Sequence, residues 1–189
     1  MVCRVGVMIA CLMMWSSISM AEKLLLTIES AEGKTRGVIT IVLQSTQAPN
    51  HVARIKQLVE EGLYNGVAFH RVIKGFMAQT GDVEFGNIKN FQGDKAGTGS
   101  SSYDDLKAEF SEIAFTPGVV GMARSRYIHS ANSQFFIMAE TQSGLNGQYT
   151  VIGMVSEGLD IVRSIKNGSK AQNGKVSRPD IIKTAVIVQ

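Results

Sequence analysis

The hydrophobic pattern of this chain changes period several times. From Lys23, "KLLLTIE" and then "RGVITIVL" alternate apolar with polar or small residues and are rich in Ile, Val and Thr. Both read as strands, joined by the glycine-containing turn "SAEGKT". "APNHVARIKQLVEEGLY" shifts to helical spacing, with Val52, Ile55, Leu58 and Val59 on one face. Pro49 suits the first turn of that helix and Gly62 its stop. "VAFHRVI" and "GFMAQTGD" return to strand character. Residues 83–109 hold few apolar side chains and read as loop. "GVVGMA", "SQFFIMA" and "YTVIGMV" are three further short strands. "EGLDIVRSIKNG" is a second helix, with Leu159, Val162 and Ile165 inward and Gly168 closing it, and "PDIIKTAVIVQ" ends the chain as a strand. The sum is about eight strands and two helices. Eight strands can close into a barrel filled by its own side chains, which leaves the helices to cover its mouths. There is no internal repeat. "GTGSSS" (97–102) reads as a mobile loop, since a phosphate cradle would need a lysine and a following helix.

The first 21 residues break this pattern. "MVCRVGVMIACLMMWSSISMA" has one early charge, Arg4, an apolar stretch from Val5 to Trp15, and small residues at the minus-three and minus-one positions of a cut after Ala21. That is the layout of a secretory signal peptide, and the apolar stretch is short of the about 20 residues a membrane span needs. The expected division is a signal segment, 1–21, and one domain, 22–189. Met20 offers a second start, which would give a cytoplasmic form. Both cysteines, Cys3 and Cys11, fall in the signal segment. A processed chain would therefore have no disulfide, thiol nucleophile or cysteine-based metal site. The whole chain has 19 basic and 16 acidic side chains, and the cut removes one basic residue, Arg4. The charges alternate without a basic run, which argues against a nucleic-acid footprint.

"FHRVIKGFMAQTGD" (69–82) places a charge among apolar residues. With a turn centred near Gly75, residues facing each other across the hairpin have numbers that sum to about 150. Arg71 then opposes Gln79 and Ile73 opposes Met77, and Arg71, Gln79 and Met77 share a face with Phe76 at the turn beside them. Gln79 can orient the guanidinium. Two readings stand: a surface ion pair, or an arginine in a groove, which the grouping with Phe76 and Met77 favours. "NSQFFIM" repeats the chemistry, with Gln134, Phe136 and Met138 on one face and Phe135 and Ile137 on the other. The two phenylalanines read either as core on both sides of a sheet or as core and groove. Strand alternation turns His70 away from Arg71, so it reads as a satisfied core histidine rather than a base. His51 and His129 are scattered elsewhere and make no metal set.

"FHRVIKGFMAQTGD", "GVVGMA", "SQFFI" and "LNGQYTVIG", in this order, resemble the cyclophilins over roughly Leu24 to the C-terminus. The resemblance implies an all-β fold, a closed eight-stranded antiparallel β-barrel capped by two α-helices, and peptidyl-prolyl cis-trans isomerase activity without a cofactor. Carried over motif by motif, Arg71 takes the catalytic position with Gln79 beside it. Phe76, Met77, Ala123, Arg124, Gln134, Phe136, Leu145 and Tyr149 take substrate-binding positions. Arg124 stands where asparagine is usual, at a contact made by backbone atoms, and Tyr149 where many members have histidine. Gly144 stands where eukaryotic members commonly have a tryptophan that contacts cyclosporin, which implies weak binding of that inhibitor. About ten extra residues near Gly86–Lys95, and "GTGSSS" in place of GTG-x-G, alter the surroundings of the secondary pocket that reads residues preceding proline. This insertion and the "QYTV" wording resemble a bacterial periplasmic subgroup.

The implied partners are proline-containing peptides and unfolded or folding proteins. The chain is expected to act as a monomer in the periplasm, with no nucleic acid and, after cleavage, no membrane. A proline-segment-binding chaperone or assembly module with little turnover is the alternative. A hydrolase lacks support, since there is no G-x-S-x-G and no histidine placed beside a serine.

Overall fold

The computed structural model describes residues 21–189. The expected signal segment up to Met20, with both cysteines, lies outside the described residues. β1 (Lys23–Glu29) and β2 (Thr35–Leu43) form an antiparallel hairpin that sets Leu24 against Ile41 and Leu26 against Ile39. These residues, with Ile28 and Leu43, are buried, as the period of two requires. α1 (Pro49–Glu60) follows, with Pro49 at its first position. It ends where the Gly62 N–H reaches the Val59 carbonyl and the Leu63 N–H reaches Leu58, both at 2.9 Å. That pair of bonds satisfies carbonyls the helix leaves open, and Gly62 takes the left-handed conformation it needs. Val52, Ile55, Leu58 and Val59 are all buried.

The remaining strands are β3 (Val67–Ala68), β4 (Arg71–Ile73), β5 (Met77–Thr80), β6 (Val119–Met122), β7 (Phe135–Met138), β8 (Val151–Glu157) and β9 (Ile181–Val188). Among the described residues they form one nine-stranded sheet, in the order β3-β9-β1-β2-β8-β6-β7-β5-β4. The two outermost strands, β3 and β4, are separated only by Phe69 and His70, so they are one strand interrupted in its middle. Counted that way the strands are eight, and the sheet meets itself. The segment leading into β9 runs beside this strand throughout. Val72 donates to Gly174, Phe69 to Asp180 and Gly66 to Ile182, while Val176 donates to the His70 carbonyl. No edge is left open there, which removes a site for aberrant pairing.

α2 (Leu159–Ser164) is shorter than its sequence pattern. Val162 and Ile165 are buried and Leu159 is partly so, but Gly168 does not close the helix. The chain leaves helical conformation at Ile165. Gly168 instead donates to the Val72 carbonyl at 2.9 Å, and a Cβ on it would lie 1.8 Å from the Gly174 oxygen. Glycine is required there by close approach of two backbones. The segment expected to be a mobile loop is also anchored. The buried Asp82 carboxylate accepts the N–H groups of Glu84, Phe85, Gly97 and Gly99 at 2.7–3.1 Å. Ser101 is buried, and its N–H and hydroxyl both donate to Asn132 Oδ1.

Apolar side chains gather in two clusters on opposite sides of the sheet. The larger fills the barrel and includes Leu26, Ile41, Ile55, Ala78, Val120, Phe135 and Ile137. The smaller lies outside, with Met77, Phe115, Val119, Phe136, Met138 and Val151 at its centre and Phe76, Ala123, Leu145 and Tyr149 at its margin.

Candidate active site

The open margin of the outer cluster is a groove of about 140 Å³ lined by Arg71, Phe76, Met77, Gln79, Ala123, Arg124, Phe136, Leu145 and Tyr149. Four separate stretches of the chain, 71–79, 123–124, 136 and 145–149, supply these residues. Arg71 comes from β4, Met77 and Gln79 from β5, and Phe136 from β7. Ala123 and Arg124 follow β6, Leu145 ends a short 3-10 turn, and Tyr149 precedes β8. The β4–β5 register is the one read from the sequence: Arg71 opposite Gln79, Val72 opposite Ala78, Ile73 opposite Met77. β5 then pairs with β7, which sets Gln79 against Phe136 and Met77 against Met138. Arg71 and Phe136 thus flank Gln79 on the same face of three adjacent strands.

The groove floor is aromatic. Phe136 stacks on Phe115 at 5.8 Å between centroids and meets Tyr149 edge-on at 5.5 Å. Gly121, on β6 opposite Phe136, makes room for this pair. A Cβ there would lie 2.6 Å from Phe136 Cζ and 2.8 Å from Phe115 Cε1. The glycine of "GVVGMA" is thus what lets the floor lie flat against the sheet.

Arg71 is held from two sides. Its Nε donates to the Asn173 carbonyl at 3.0 Å and Nη2 to Asn173 Oδ1 at 3.1 Å. Nη1 donates to Gln79 Oε1 at 3.2 Å and faces the Met77 sulfur at 3.9 Å. A guanidinium has five N–H groups and no acceptor. Three go to oxygens of the protein and one to a weak sulfur acceptor, so donor capacity remains for a ligand. Partial burial pulls its pKa below the ordinary value, with Tyr149 opposing the shift; an arginine keeps its charge regardless.

That charge sets a direction. Because Arg71 donates to Gln79 Oε1, the Gln79 amide must point away, and it donates to Gln134 Oε1 at 3.0 Å. Gln134 in turn donates to the Gly99 carbonyl at 2.8 Å. Gln134 therefore does not line the groove. It lines a second hollow of about 340 Å³, shared with Gln79, Ala123 and Arg124 and walled by Gly97–Ser100, Asp105, Ser125, Ser130 and Asn132. The 83–105 segment reaches Arg71 through this relay, since the Asp82 carboxylate fixes Gly99. Asp94, in the extra residues, also pairs with Lys175 at 3.0 Å, two positions from Asn173.

The Arg124 side chain is turned onto Tyr149 and its own loop. Its guanidinium lies 4.7 Å from the Tyr149 ring centroid and donates to the carbonyls of Gln148 and Ser125. This leaves its backbone at the junction of the two hollows.

His70 is turned away from Arg71 and buried, as alternation requires, but it is not satisfied. Neither ring nitrogen has a hydrogen-bond partner among the described residues, and the ring packs against Gly97. Burial pushes its pKa down to about 4, against a raising effect of Asp82. His51 is also buried, with Nδ1 2.6 Å from Glu109 Oε2. Among the described residues no group of His, Cys, Asp or Glu is arranged to hold a metal ion.

Three residues that matter here escaped the sequence reading. Asn173 is the one non-glycine among the described residues with positive φ, at 51°, and it grips Arg71 from 102 positions away. The "NG" pair marks a turn but not its target. Phe115 backs the groove floor from a stretch without periodicity. Tyr64 is fully buried and donates to the Ser133 carbonyl at 2.7 Å, which pins the chain just ahead of Gln134.

Comparison with known proteins bears on this site. A model of the family "Cyclophilin type peptidyl-prolyl cis-trans isomerase/CLD" matches residues 25–187. A probable peptidyl-prolyl cis-trans isomerase of Brucella suis is 59% identical over 152 residues, 80% of this chain and 78% of that protein. Peptidyl-prolyl cis-trans isomerase B of Bacillus subtilis is 34% identical over 139 residues, 73% of this chain and 90% of that one. The crystal structure of a cyclophilin-type isomerase of Cryptosporidium parvum, in the presence of the dipeptide Ala-Pro, superposes with a TM-score of 0.72 at 25% identity. It covers 88% of this chain and 99% of its own.

Proposed function

This chain belongs to the cyclophilin-type peptidyl-prolyl cis-trans isomerases, and we propose that it turns X-Pro bonds by holding Arg71 against the prolyl nitrogen of a peptide in the groove. Its activity is isomerisation, with no proton transferred and no covalent bond made in the step proposed here. Rotation of a peptide bond costs about 18–20 kcal/mol because resonance is lost halfway. Uncatalysed X-Pro exchange takes tens to hundreds of seconds. Reaching milliseconds requires about five decades, or roughly 7 kcal/mol.

In the twisted state the nitrogen becomes pyramidal and regains a lone pair. A donor placed beside it favours the twisted state over the planar one, which is differential binding of the transition state. One charged hydrogen bond supplies about 1.5–3 kcal/mol. The groove supplies the rest. The planar amide is the more dipolar form, and an apolar surround of Phe76, Met77, Phe136 and Leu145 disfavours it. These side chains grip the proline ring. Gln79, Gln134 and the backbone at Ala123 and Arg124 hold the flanking peptide. The observation that carries this reading is the two-sided clamp on Arg71, which fixes a cation at the edge of an apolar hollow with donor capacity to spare. Exchange spectroscopy on an X-Pro peptide tests it, with Arg71→Ala as control. Binding without acceleration by the wild-type protein would instead mark a proline-segment-binding module.

The reading extends to compartment and size. The N-terminal sequence supports export to the periplasm and a cut after Ala21, and the chain is taken to act there as a monomer. Glu22, the residue after that cut, is already engaged: its carbonyl accepts the Leu43 N–H and its carboxylate pairs with Lys56. Mass spectrometry of the protein recovered from cells tests the cut, and a chain beginning at Met1 or Met20 would reject it. Weak cyclosporin binding is part of the same reading. Gly144 leaves open space at the groove rim where a larger side chain would stand, and nanomolar affinity by calorimetry would reject it.

A further inference from the structure

We propose that the loop from Arg124 to Ser130 presents Tyr127 and Ile128 as a docking platform for apolar side chains of an unfolded polypeptide whose X-Pro bond occupies the groove. Tyr127 is 63% exposed and Ile128 48%, and among the described residues they are the only large exposed hydrophobics adjacent in sequence. Side by side, they make a small contiguous apolar patch rather than two isolated exposures. This loop ties them in place with its own hydrogen bonds. Ser125 and Ser130 clasp its base: the Ser125 N–H donates to Ser130 Oγ at 3.0 Å, and the two hydroxyls meet at 2.7 Å. The same hydroxyls bind the tip, with Tyr127 N–H donating to Ser125 Oγ and Ser130 Oγ donating to the Tyr127 carbonyl. Arg126 covers one face of the Tyr127 ring, 4.9 Å from its centroid. From below, the His129 ring accepts the Ala108 N–H.

The position of the loop names its occupant. Ser125 and Ser130 are wall residues of the second hollow, which shares Gln79, Ala123 and Arg124 with the proline groove. A polypeptide leaving the groove past Arg124 crosses that hollow and meets the tip within a few residues. Tyr127 and Ile128 belong to neither hollow's lining, so a peptide confined to the two hollows does not touch the tip. The surface is thus continuous with the substrate groove, and a flexible chain with an apolar side chain a few residues from its proline is what fits it. Holding the tip in advance lowers the ordering cost of that contact.

The proposal rests on the isomerase activity, and its test keeps the two apart. The double substitution Tyr127→Ser/Ile128→Ser is compared with Val186→Thr, an exposed apolar residue on β9, and with wild type. Two substrates are used: an Ala-Pro tetrapeptide followed by exchange spectroscopy, and an unfolded protein whose refolding waits on one X-Pro bond. The expected result is tetrapeptide turnover unchanged within about twofold and kcat/KM on the protein lower by about five- to tenfold, through KM, in the double variant alone. Equal rates on the protein substrate would overturn the platform, and so would equal losses on both substrates. A wild-type protein inactive on the tetrapeptide would overturn the isomerase reading itself.

Discussion

Phe135 and Phe136 are consecutive, both large and both nearly inaccessible, yet they belong to different parts of the molecule. Phe135 points into the barrel, where it meets the Tyr64 ring edge-on at 5.6 Å among aliphatic side chains. Phe136 points outward onto Phe115 and Tyr149 and forms the groove floor. The same division runs through Ala78 against Met77 and Val120 against Val119. One sheet serves two purposes because alternate residues face opposite ways. The inner cluster is sealed and makes the fold. The outer cluster is left incomplete at one margin, where the proposed function places a proline ring.

Substitutions at the two phenylalanines should separate the two purposes. Phe135→Ala is expected to cost about 3–5 kcal/mol of unfolding free energy, by denaturant titration, with normal turnover per folded molecule. Phe136→Ala is expected to lose about a hundredfold in kcat/KM, equivalent to about 2.7 kcal/mol, while costing less stability. Matching losses in both assays for both variants would dissolve the distinction.

His70 sits on the sealed side of the strand that carries Arg71, so it titrates against the fold rather than the reaction. Its folded pKa of about 4 lies below the usual 6.5, so the unfolded chain binds the proton more tightly between these values. Stability therefore falls as pH drops from about 6.5 to 4. Wild type should lose on the order of 3 kcal/mol there that His70→Leu retains, as the difference between their pH–stability curves. Parallel curves would show that the ring finds a proton-stabilising partner.

Smaller effects sharpen the outer side. Gly121→Ala forces a methyl against Phe136 and Phe115 and should lower kcat/KM by about thirtyfold, roughly 2 kcal/mol, from overpacking. Asn173→Ala removes one of the two oxygens Asn173 offers Arg71 and leaves the backbone carbonyl. A loss of about tenfold in kcat with KM nearly unchanged is expected. An unchanged kcat would mean Gln79 alone positions the guanidinium.

The sequence yielded this architecture unevenly, for physical reasons. The β4–β5 hairpin was legible to the residue because a two-residue period and a short turn at Gly75 determine which side chains meet. The alternation in "SQFFIM" likewise separated Phe135 from Phe136. Barrel closure was legible only as a count, and the kink at Phe69–His70 turned eight expected strands into nine segments. Asn173, Phe115 and Tyr64 reach the site across long loops, where no period links a residue to its target. The extra residues near Asp94 read as an uncertain lengthening of a loop. In the structure they lie beside Lys175 and the turn that grips Arg71.

In the mechanism proposed for this groove, Arg71 acts on the twisted amide rather than on peptide binding. Exchange spectroscopy on one X-Pro tetrapeptide, at saturating and at low peptide, gives turnover and affinity for wild type, Arg71→Ala and Arg71→Lys. Arg71→Ala is expected to lower the exchange rate about a hundredfold with peptide affinity kept within about threefold, and Arg71→Lys to recover part of that loss. A variant that binds weakly yet exchanges at the wild-type rate once saturated would contradict it.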